Sequence, residues 1–168
     1  MALKLAPQVP SADRVQTSYK QLSIVAIDLN AASDDLVQAV SVFDAALQRL
    51  NLGISAWVVL SGNNEEDGEW WNRNIGYAKI GDSWGVTLKT ASGNYNCPDR
   101  DSVEKWLFKD APRWMRIEGV GKIPDLLEAL LKQAEDTTKK IKNKTEETLA
   151  LAAAMSKVLD EAQPTARN

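Results

Sequence analysis

Between Ser11 and Leu50 an apolar residue returns every seven positions: Val15, Leu22, Leu29, Leu36, Phe43 and Leu50. Four residues after each of the first five come Tyr19, Ala26, Ser33, Val40 and Leu47, mostly apolar or small. This alternating 4-3 spacing is that of a coiled-coil seam or a long bundle helix. Ser11 suits the cap, Asp13 the first turn, and Asn51 with Gly53 the left-handed residues that end a helix. The run Asn30-Ala31-Ala32-Ser33-Asp34-Asp35 also has the look of a helix start. Because the seam keeps phase through it, one helix over 11–52 is expected, with a bend near 30–33 or two helices in line as the alternatives.

The last quarter of the chain repeats the device. From Pro124 onward Leu127, Ala134, Ile141, Thr148, Met155 and Ala162 recur at seven, with Leu131, Thr138, Thr145, Ala152 and Leu159 between them. A second long helix is expected over 122–162, with smaller and more polar seam residues. Two helices of similar length around a compact insert predict an antiparallel, coiled-coil-like pair. Ile24, Val25, Ile27, Val37 and Val42 widen the first helix beyond what one partner covers. Self-association as a homodimer, or docking on another protein, follows as an expectation, with Leu22, Leu29, Leu36, Val40 and Phe43 as the assembly seam.

All six tryptophans (57, 70, 71, 84, 106 and 114) fall in the insert, residues 53–121. Ile54-Ser55-Ala56-Trp57-Val58-Val59-Leu60 reads as a buried strand. Trp70–Ile80 and Ser83–Thr90 read as a hairpin turning at Gly81-Asp82, which sets Ile75 against Leu88, Tyr77 against Val86 and Lys79 against Trp84. The opposite face of that hairpin is smooth: Gly76, Ala78, Gly85 and Thr87, with Trp70 at one end. Either a helix of the same chain packs on this strip, or the strip binds a ligand. Asp101-Ser102-Val103-Glu104 resembles a capping box and predicts a short helix carrying Trp106, Leu107 and Phe108. A further turn or two is expected around Trp114, Met115 and Ile117. The expected class is α+β: two long amphipathic helices flanking a three-stranded antiparallel sheet with one or two short helices, between flexible ends at 1–10 and 163–168.

The chemistry is thin. Histidine is absent, which removes the commonest general base and zinc ligand. The loop from Ser61 to Glu69 is rich in oxygen ligands but lacks the alternation of a calcium loop. No glycine belongs to a phosphate-cradling motif. Asp99 and Asp101 flank Arg100 as an acid pair of sorts, and Arg113, Arg116 and Lys122 near Trp114 suit either an anion or an interface rim. A net charge of −3, with no strongly basic region, argues against nucleic acid as a partner. The single cysteine, Cys97, and an N-terminus without an apolar core lead to a cytoplasmic expectation, and no run is long enough to span a membrane. No catalytic residue, cofactor or metal is indicated. The leading expectation is therefore a non-enzymatic interaction or assembly protein. A small-ligand or glycan-binding module at the head is the alternative, and a carboxylate-dependent enzyme comes third.

Overall fold

The computed structural model describes residues 11–64 and 68–161; the expected flexible ends and Glu65–Asp67 of the acidic loop lie outside them. Helix α1 spans Ser11–Leu50 without interruption, so the start signal at 30–35 does not break it. Its end is the one the sequence indicates: Asn51 takes φ 46° and Gly53 φ 62°, and the Asn51 amide donates to the Gln48 carbonyl. Strands β1 (Ala56–Asn64), β2 (Glu69–Ile80), β3 (Ser83–Asn94) and β4 (Ser102–Leu107) follow, then α2 (Arg113–Val120) and α3 (Ile123–Glu161). The sheet is an antiparallel meander in the order β1-β2-β3-β4. Among the described residues no helix is long and apolar enough to cross a membrane.

The β2–β3 hairpin has the expected register, with Ile75 against Leu88, Tyr77 against Val86 and Lys79 against Trp84. Gly81 alone carries a positive φ in the turn, 57°, the pattern of a type II′ connection. The sheet has four strands, not three. Residues 102–107, expected to open a short helix, form β4 along the free edge of β3, pairing from Ser92–Ser102 to Thr87–Leu107. The run Ser102 to Leu107 has no clean polar–apolar alternation of its own, with Lys105 between Val103 and Leu107 and Trp106 beside Glu104. Six paired positions along β3 outweigh a single local capping signal, since capping contributes only about 1 kcal/mol. A 3₁₀ turn, Phe108–Asp110, ends the strand.

The core lies on one face of the sheet. Ile75, Tyr77, Val86 and Leu88 meet Val40 and Leu47 of α1, Met115 of α2, and Ile123, Leu126 and Leu130 of α3. On α1 the buried or half-buried residues are Ser33, Leu36, Val37, Val40, Ser41, Asp44 and Leu47, one stripe at helical spacing. On α3 they are Ile123, Leu126, Ala129, Leu130, Ala134, Asp136 and Thr137. Each long helix is thus anchored to the head by about half its length.

The other halves overhang. Every side chain from 11 to 32 and from 138 to 159 is exposed, two stretches of equal length, each about 33 Å at 1.5 Å per residue. The long helices do not bury one another's stripes: Leu22 is 65% and Ile141 61% exposed. The antiparallel pair expected within one chain is therefore not how this chain covers its seams.

Candidate interaction surface

The stripe that fastens α1 to the head does not stop at Ser33. At 100° per residue Val15, Tyr19, Leu22, Ala26 and Leu29 lie in line with Ser33, Val37, Val40 and Leu47. The same holds for α3, where Ile141, Thr145, Thr148, Ala152, Met155 and Leu159 continue Ile123, Leu130, Ala134 and Thr137. Both arms carry shallow depressions on this side: about 430 Å³ bordered by Val15, Tyr19 and Leu22, and about 440 Å³ bordered by Ile141, Thr145 and Thr148.

The arms differ in chemistry. The α1 arm exposes Val25 beside its stripe and Ile24 and Ile27 on its far side; Arg14 borders the depression at Val15, and Asp13, Lys20 and Asp28 stand away from it. The α3 arm is lysine-rich and stitched by local ion pairs such as Lys144–Glu147, 2.6 Å. The middle of its seam is threonine and alanine (Thr145, Thr148, Ala152), between Ile141 on one side and Met155 and Leu159 on the other. Thr145 and Thr148 spend their hydroxyls on backbone carbonyls one turn back, those of Ile141 and Lys144.

The structure divides the seam read from the sequence. Leu22, Leu29 and Phe43 are exposed. Val40 is only 2% exposed and sits in the head core, with Leu36 packed against it. Val40 is therefore out of reach of any second chain, because the head occupies that part of the stripe.

The smooth strip of the hairpin is on the face opposite Ile75, Tyr77, Val86 and Leu88; a side chain covers it at its Gly76 end, and α1 reaches it at its Gly85 end through Asp44. Trp57, paired with Gly76 across β1 and β2, rests on the glycine so closely that a Cβ at 76 would come within 2.3 Å of its ring. The Lys89 ammonium stands 4.5 Å from the centre of the same ring. Burial and the nearby Lys105 charge lower the Lys89 pKa. Ala78, Gly85 and Thr87 are buried, and Thr87 donates its hydroxyl proton to the Gly85 carbonyl at 3.0 Å. Gly85 faces Leu107 and the carboxylate of Asp44. Sequence reasoning identified the strip but not its occupant, since the Trp57–Gly76 pairing depends on the order of the strands.

Trp70 lies at the far end, half-buried and tilted against Tyr95 at 6.2 Å between ring centres. A cleft of about 230 Å³ opens there among Glu69, Trp70, Trp71, Gly93 and Arg100. On the core face Arg73 is held between two rings, 4.6 Å from Trp71 and 4.5 Å from Trp114. Glu118 lies 4.0 Å from its guanidinium and accepts a hydrogen bond from Ser61 at 2.8 Å. Arg113 donates to Asn30 of α1 at 2.9 Å, which marks where the head first touches that helix. Asp99, Arg100 and Asp101 are exposed, with Asp101 leaning over Gly93.

Comparison with protein-family models, with curated proteins and with solved structures finds no match for this chain.

Proposed function

We propose that this chain is a non-enzymatic assembly protein that forms a homodimer through the α1 arm. The observation that carries the reading is the continuation of the α1 stripe beyond the head, with Leu22 and Leu29 still 65% and 48% exposed. A helix of this length holds together in water mainly by packing an amphipathic face, and the arm has poor helix formers in Val15, Thr17, Ile24, Val25 and Ile27. Something must cover it.

Fully burying a large apolar side chain contributes roughly 1.5–3 kcal/mol. Val15, Tyr19, Leu22, Val25 and Leu29 on each of two chains, at half that value, contribute on the order of 10 kcal/mol. That is comparable with the roughly 4–15 kcal/mol lost to immobilisation on association. The α3 arm, with threonines at its centre, offers much less, which makes a second α1 arm the better cover. The pairing of long helices expected within one chain is thus assigned to two chains.

Light scattering or sedimentation tests this reading. The parent protein is expected to be a dimer, and the double substitution Leu22→Glu, Leu29→Glu a monomer with unchanged tryptophan fluorescence and head stability. A monomeric parent, or a double mutant that keeps its subunit number, overturns it.

A small-ligand role for the head is supported by one feature, the cleft beside Trp70 and Tyr95. Fluorescence titration with neutral oligosaccharides, compared between the parent and Trp70→Ala, tests that second reading.

A further inference from the structure

We infer that the two α1 arms pair antiparallel about a two-fold axis near residue 24, so that the tip of each arm ends where the other meets its own head. This rests on the dimer proposed above and adds its orientation and register.

The first argument is the volume of the layers. Along the stripe the residues are Val15, Tyr19, Leu22, Ala26 and Leu29, all exposed, and then Ser33, half-buried where the head begins. In a parallel pair each meets its own copy. Two tyrosines then crowd one layer, while two alanines leave the next underfilled, and both overpacking and voids are destabilising. In the antiparallel pair Val15 opposes Ser33 of the partner subunit, Tyr19 opposes the partner's Leu29, and Leu22 opposes the partner's Ala26. Large then faces small at the centre and at the ends, the arrangement that fills layers evenly.

The second argument is length. Side chains from 11 to 32 are exposed, Ser33 is half-buried, and Arg113 of the head reaches Asn30. An overlap from 15 to 33 uses all of the free stripe. Sliding the arms one heptad inward would put the partner's Tyr19 on Leu36, which is packed against its own head. Sliding them outward would set Leu29 against Ala12, a small residue in the first turn of α1.

The third is charge. The positions flanking the stripe between 15 and 29 are Gln16, Ser18, Ser23 and Val25, none of them charged. Depletion of charge at the centre of a contact is a compositional mark of protein interfaces. A closed two-fold pair also uses the same patch on both chains, as a self-complementary surface requires.

Disulfide trapping in a Cys97→Ser background tests the register. Tyr19→Cys and Leu29→Cys chains are oxidised separately and as an equal mixture, then run on non-reducing gels, with light scattering on each sample. The expected result is a covalent dimer in the mixture and little in either single variant, because identical positions lie about 15 Å apart along the axis. Self-crosslinking of Tyr19→Cys alone shows a parallel pair and overturns the register while leaving the dimer. Dimeric samples with no crosslink in any of them place the contact elsewhere and also overturn it. A monomeric Cys97→Ser parent removes the dimer itself, and the pairing with it.

Discussion

The Asp44 carboxylate on α1 accepts the backbone N–H of Val86 on β3. One turn later the Gln48 carboxamide donates to the Trp84 carbonyl at 2.7 Å. Both backbone groups lie on the edge of β3 just beyond the point where β4 ends at the Thr87–Leu107 pair. Two side chains of a helix therefore stand in for the missing strand, closing an edge that would otherwise be open to pairing with another chain. Residues that look like ordinary surface polar groups of an amphipathic helix are tying that helix to the sheet.

Asp44 is half-buried, and burial raises its pKa more than the Val86 hydrogen bond lowers it. Its ionised form is therefore penalised in the folded state at neutral pH. The sign follows from linkage: the penalty is full above the folded pKa and disappears below the unfolded one, so this group adds stability as pH falls through that window. Asp44→Asn keeps an acceptor for Val86 and loses the charge. Urea unfolding at neutral pH is expected to show it as stable as the parent or more so, with the gap closing in acid. Asp44→Leu strands a buried N–H and is expected to lose about 1–3 kcal/mol at every pH.

Gly76→Ala places a Cβ 2.3 Å from the Trp57 ring and 2.6 Å from the Ala56 carbonyl oxygen. Strand backbone cannot yield as a flexible side chain does, so a loss of about 1–3 kcal/mol or more is expected in denaturant unfolding. The emission of Trp57 should shift as the ring lifts. Gly85→Ala meets Leu107 and Asp44 at 3.3–3.4 Å and should be milder.

Arg73 stands between Trp71 and Trp114, with Glu118 as its ionic partner. Arg73→Ala removes two ring contacts and an aliphatic stem, an expected loss of about 1–2 kcal/mol by thermal or urea unfolding. Arg73→Lys should recover only part of it, since a compact ammonium cannot stack flat between two rings.

Val40 and Leu22 lie on the same stripe of the same helix, yet the two substitutions should separate cleanly. Val40→Ala leaves a cavity in the head and is expected to lower its stability by about 2 kcal/mol without altering subunit number. Leu22→Ala should weaken the dimer, seen as a concentration-dependent sedimentation profile, while the unfolding midpoint of the diluted protein stays put.

Much of the fold is written locally. The 4-3 spacing from Val15 to Leu50 specifies α1. Asn51 and Gly53 end it because left-handed backbone suits those residues. Gly81-Asp82 sets the hairpin register, because a two-residue turn leaves one alignment of the flanking strands. Each of these depends on residues within one or two turns of each other, and each is legible from the chain alone.

What the chain alone did not decide depends on partners far along it. Residues 102–107 have a helix-start signal and no clean strand alternation, and the free edge of β3 makes them a strand. The α1 stripe is uniform in sequence. Only the tertiary structure divides it, burying Val40 and Leu47 in the head while leaving Leu22 and Leu29 in solvent. Trp57 covers Gly76 because the meander puts β1 beside β2, and Asp44 reaches Val86 because β4 is short. Local propensity fixes where an element begins and turns. Which of its faces is buried depends on what else the folded chain brings within reach.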